Sequence, residues 1–185
     1  MSSIGSIALL VGLSVAASTS PPAGRWDFGT EESTSLTSHG DVQRDQAGPR
    51  PPEFPDFAKD NKAVRLDGNG AYLSIEDPGS NSQFDFTGGD AITLEAWIKL
   101  DGLRNGSPMY VIGKGRTGTP NFSSDNQNWS LRVVGAGGIA KLSFLFATAP
   151  GHGDAHWHRW TSKDGFPVAS GWHHIAVTYR FGDPR

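Results

Sequence analysis

The 185-residue sequence contains no cysteine. Disulfides, thiolate-ligated zinc, iron–sulfur clusters and covalently attached c-type haem are therefore excluded within it. Methionine occurs only twice, and no segment shows sustained helical periodicity. There is little charge of either sign in excess. The formal net charge of -3 offers no electrostatic case for a nucleic-acid partner. A Gly-x-Ser-x-Gly elbow, a phosphate-cradling glycine-rich loop and a His-Glu-x-x-His zinc motif are all missing. No repeat recurs at solenoid spacing. No apolar run approaches the ~20 residues needed to span a bilayer as a helix.

What is present is turn chemistry and aromatics. The chain has 24 glycines, 12 prolines and six tryptophans, a mix that favours a loop-rich all-β protein. The apolar run from Ile7 to Ala17, followed by small residues at Ala16, Ala17 and Ser18, reads residues 1–20 as an export signal, although no Lys or Arg precedes it. Residues 21–61 are rich in Pro, Gly and polar residues. Proline removes backbone donors, so a central strand or helix is not expected there, except for a short first strand near 26–28 around Trp26 and Phe28. From Lys62 the pattern changes to short strands. AVRLDGNGAYLSIE reads as two strands around a tight turn, with Gly68 and Gly70 able to take positive φ. ITLEAWIKL alternates strictly: Ile92, Leu94, Ala96, Ile98 and Leu100 lie on one face, and Thr93, Glu95, Trp97 and Lys99 on the other. Further strands are expected over 109–114, 128–134, 140–147 and 172–179, with a histidine-rich loop from Pro150 to Gly165.

The segments AVRLDGNGAYLSI, FDFTGGDAITLEAWIKL, VIGKG, WSLRV, KLSFLFA and GWHHIAVTY, in this order, resemble the laminin-G-like domains of the concanavalin A-like lectin/glucanase superfamily. The resemblance implies an antiparallel jelly-roll β-sandwich over 62–185. It also implies that strands closing such a domain lie beyond Arg185, so the sandwich is expected to be incomplete. Glycans are the implied partner class, with neighbouring domains in a longer parent protein. The alternatives are a structural or protein-interaction module and, third, a glycosidase-related domain.

The candidate ligand-binding residues follow from sugar chemistry. A pyranose offers an apolar C–H face that suits an aromatic ring, and hydroxyls that need polar partners. Trp157 and Trp160, with His156 and His158, fall in the expected loop. Trp97 and Glu95 share the non-core face of their strand, although core packing of Trp97 is the competing reading. His152, Asp154, His156 and His158 also have metal-ligand chemistry, without a fixed zinc spacing. Lectin-like jelly rolls often hold calcium, which makes Asp67, Asn69 and Asp27 candidate ligands by resemblance. A plain hairpin turn explains Asp67 and Asn69 equally well. Adjacent His173 and His174 must face opposite ways on a strand, so they cannot readily chelate one ion. No second acid accompanies Glu95 as a glycosidase pair requires, so no catalytic residue is expected.

Overall fold

The structure, a computed structural model, describes residues 21–29, 36–79, 82–115, 128–148 and 157–182. Every regular element among them is a strand: β1 (Thr37–His39), β2 (Val42–Ala47), β3 (Lys62–Leu66), β4 (Tyr72–Ser74), β5 (Ala91–Lys99), β6 (Pro108–Lys114), β7 (Trp129–Ala136), β8 (Ile139–Ala147), β9 (Trp157–Pro167) and β10 (Trp172–Arg180). All strand pairs are antiparallel. β6-β7-β8-β9 form a four-stranded meander, β5 pairs with β10, β2 with β3, and β1 with β4.

The alternation in β5 survives intact. Ile92 and Leu94 are buried, and Thr93, Glu95, Trp97 and Lys99 point away from the core. Opposite Ala96, Ile175 of β10 is buried. These residues pack against Trp129 and Leu131 of β7 and Phe144 and Phe146 of β8, which makes a two-layer sandwich. A second cluster of Leu100, Val133 and Ala140 continues the core toward the other end of the strands. Gly137 and Gly138, at φ of 61° and 82°, make the two-residue turn between β7 and β8 that right-twisted strands prefer.

Three expectations need correction. Residues 26–28 form no strand; the first strands are β1 and β2, in a region that looked like punctuation. Their sequences, TSH and VQRDQA, are polar and mostly exposed, so no apolar alternation announced them. The strands flanking Asp67–Gly70 exist, but they do not form a hairpin with each other: β3 pairs with β2 and β4 with β1. The expected loop from Pro150 to Gly165 is largely β9 from Trp157 onward, and its first residues lie outside those described. Gly165 shows why glycine stands in this strand, since an added Cβ would sit 2.2 Å from the Ala140 carbonyl oxygen.

The connection between β2 and β3 carries two aromatic rings to the outside of the sandwich. Its ends are drawn together: the Gly48 amide donates to the Asn61 carbonyl at 3.0 Å, Asn61 Nδ2 to the Pro49 carbonyl at 2.8 Å, and Arg50 Nη2 to the Asn61 carbonyl at 3.0 Å. Residues 48–61 thus form a compact loop with pinned ends. Its Phe54 and Phe57 turn onto the outward face of β5.

Candidate functional site

The outward face of the β5–β10 pair is ordered by its register. Trp97 lies directly opposite His174, Glu95 opposite Ala176, and Thr93 opposite Thr178. Side chains two apart on one strand share this face. Trp97 remains 37% exposed, which sets aside the core-packing reading for it. Phe54 and Phe57 meet its ring edge-on, with centroids at 5.0 and 5.1 Å, and the His174 ring lies 5.4 Å away. Edge-to-face contacts of this kind are favourable and directional, so the indole is held in place while part of it faces solvent. Beside it His174 Nε2 and Glu95 Oε2 are 3.4 Å apart, both side chains well exposed. The arrangement offers an apolar ring face, a carboxylate that accepts hydrogen bonds and an imidazole within reach of one another.

Sequence reasoning reached Trp97 and Glu95 but missed Phe54, Phe57 and the contribution of His174. The only available signal for the phenylalanines was two apolar rings three residues apart in a proline-rich segment, a spacing with no use in a solvated linker. His173 and His174 do face opposite ways. His173 stacks on Phe166 at 4.1 Å and bonds Ser170 Oγ at 2.7 Å, and His174 joins the outward cluster.

The other aromatic candidates separate. His156, like His152 and Asp154, lies outside the described residues. Trp157, His158 and Trp160 are on a strand, not a loop. His158 and Trp160 oppose the core residues Phe146 and Phe144, whereas Trp157 opposes Ala147 and points to the other face. Trp160 is partly buried and packs against the core: its ring lies 5.6 Å from Phe146, 6.1 Å from Phe144 and 5.1 Å from Tyr179. His158 stacks on Phe146 at 4.6 Å. Trp157 and Trp160 therefore cannot form one platform, and the strand's alternation is the physical reason.

The calcium candidates also separate. Asp67 Oδ1 accepts the backbone amides of Asn69 at 2.7 Å and Ala71 at 3.1 Å, which is the self-capping of an Asp-initiated turn. Asp27 Oδ1 accepts the Gly29 amide at 3.2 Å, and a Cβ on Gly29 would lie 3.8 Å from Lys62 Cγ. Asp27 thus sits by the first residue of β3, and Asp67 just past its last, roughly 16 Å of strand away. The two do not share a donor set for one calcium ion. Among the described residues no three His, Asp or Glu side chains gather as a metal group.

One polar knot ties the loop before β5 to the sheet. Lys114 Nζ bonds both Asp77 and Asp85. The bond from Lys114 holds the Asp77 carboxyl below the ordinary carboxylate range. Burial works against the Lys114 charge, but the two carboxylates outweigh it and leave the ammonium above its ordinary value. Trp129 Nε1 donates to the Phe84 carbonyl at 2.8 Å, so the same loop is fixed from the core side as well.

Among the described residues no helix is long and apolar enough to cross a membrane. A family model described as the concanavalin A-like lectin/glucanases superfamily, of laminin G type, matches residues 67–183. No curated protein and no solved structure matches the chain.

Proposed function

The chain belongs to the concanavalin A-like lectin/glucanases superfamily, and from that premise we propose that it is a non-catalytic carbohydrate-binding module of an exported protein. The superfamily takes in carbohydrate-binding and interaction modules generally, and a fold by itself does not choose between them. The observation that carries the reading is the outward face of β5–β10, where a braced, part-exposed Trp97 stands beside the Glu95–His174 pair. A sugar ring stacks its C–H face on the indole, and its hydroxyls bond the carboxylate and imidazole. Because Phe54 and Phe57 hold the ring in advance, little side-chain freedom remains to be lost on binding.

Binding without catalysis is supported by the acids on the two strands themselves. Along β5 and β10 the only carboxylate is Glu95. Retaining and inverting glycosidases place two carboxyl groups about 5 Å or about 6.5–9.5 Å apart across the scissile bond. Export rests on the apolar run in residues 1–20, and N-terminal sequencing of secreted protein checks it: a mature chain starting near residue 20 is expected, and an intact Met1 overturns it.

The binding test is a glycan array followed by titration of the full chain. Trp97→Ala is expected to weaken capture by at least about tenfold, as loss of a central aromatic anchor does, and Glu95→Gln by less. Capture untouched by Trp97→Ala would remove the site from this face. Absence of binding to every glycan would overturn the reading in favour of a protein-interaction module.

A further inference from the structure

We propose that the chain carries a second ligand site, separate from Trp97: a cleft for a neutral sugar ring where residues 23–26 cross the loop after β4. The proposal takes its ligand class from the proposed function, but it rests on residues that the outward face does not use.

The cleft is an open groove of about 580 Å³, a volume within the range of small-molecule sites. Its apolar walls are Trp26, Phe84 and Ile75, and its polar groups come from Arg25, Glu76 and Gln83. Ile75 is 41% exposed, so an apolar surface stays open to solvent there. The walls are held in advance. The Trp26 ring folds back over Gly24, where an added Cβ would lie 2.7 Å from its Cη2, and it meets Phe84 at 6.5 Å between centroids. Phe84 is in turn fixed through its carbonyl by Trp129 Nε1. Gln83 Nε2 donates to the Ala23 carbonyl at 2.7 Å, which ties the crossing segment to the loop.

The charge balance selects the ligand class. Arg25 brings a donor-only cation and Glu76 an acceptor-only anion to the same groove. An acidic sugar meets Glu76 and an amino sugar meets Arg25, so a ligand of either sign gains one partner and faces one like charge. A neutral polyol loses nothing, because each hydroxyl both donates and accepts. The indole and phenyl rings supply the apolar surface for its C–H face.

The test is calorimetric titration of the full chain with neutral hexasaccharides (cello-, xylo-, manno- and laminarihexaose), in wild type, Trp97→Ala, Trp26→Ala and Glu76→Gln. Two sites are expected in wild type. Trp97→Ala should keep one of them, and in that background hexagalacturonate and chitosan hexamer should bind at least about tenfold more weakly than the best neutral probe. Trp26→Ala should remove the remaining site. Glu76→Gln, an isosteric change at an exposed position that leaves folding alone, should weaken that site by about tenfold, the scale of one charged hydrogen bond. If Trp97→Ala abolishes all binding and neither Trp26→Ala nor Glu76→Gln changes the titration, the cleft is not a site and the outward-face reading stands. If binding falls with Trp26 and Glu76 but not with Trp97, the cleft stands and the outward face does not. No binding of any neutral hexasaccharide by wild type overturns the cleft, and the outward face is then decided by the glycan array.

Discussion

Trp97 and Trp160 lie on neighbouring layers of one sandwich and have opposite surroundings. Both are on strands, both are partly covered, and both touch two or more rings. Trp160 is enclosed by Phe144, Phe146 and Tyr179, residues of the inner faces of both layers. Trp97 is on the outer face, and its companions Phe54 and Phe57 come from a loop instead of a facing sheet. Ring contacts alone therefore do not distinguish a tryptophan packed between the layers from one left partly open on an outer face. What distinguishes them is which face the strand turns inward and whether the covering element leaves the ring partly open.

Substitutions should separate the two clusters. The largest effect is expected from Trp160→Ala, which opens a cavity between the layers and should cost about 3–5 kcal/mol of stability, read as a large drop in the denaturant midpoint. A loss under about 1 kcal/mol would mean that Trp160 is no more structural than Trp97. Next comes Phe54→Ala with Phe57→Ala. Each removes an edge-to-face contact worth about 0.5–1.5 kcal/mol, and together they should weaken glycan capture more than they lower the midpoint. Equal losses in both readouts would make the loop cluster a piece of core.

The smallest effect is expected from acid, acting through the Lys114 knot. The Lys114 knot holds the loop that carries Phe86, whose ring packs on Trp129 and Phe181. Asp77 has a depressed folded value, so its contribution is present above the unfolded carboxyl value of about 4 and is lost as pH falls through the lower folded one. At partly exposed groups this should stay below about 1 kcal/mol. Stability should thus dip as pH falls below about 4 in wild type, and less so in Asp77→Asn. A dip of equal size in both proteins would place the acid response elsewhere.

Much of the framework was legible from the chain. β5, β7, β8 and β10 appear within a residue or two of where alternation put them, because one face of each is apolar and the other is not. β9 was not legible. WHRWTSKDGFP mixes His, Arg, Lys and Asp with glycine, and it pairs as a strand only because β8 supplies a partner ladder. β1 and β2 were hidden for the same reason: their residues are polar, and their place comes from β4 and β3. On the site, alternation put Trp97 and Glu95 on one outward face. It could not indicate that a proline-rich segment would fold back to brace that tryptophan, nor that residues 23–26 would meet Phe84.

The sequence by itself determined the period of each apolar strand, the turns where glycine must take positive φ, and hence an all-β sandwich of this superfamily. Those are local matters of backbone sterics and of which side chains avoid water. Only the tertiary structure decided strand partners, which of six tryptophans are buried, and which polar residues stand beside an open ring. Such choices depend on contacts between segments far apart in the chain, and no local pattern encodes them.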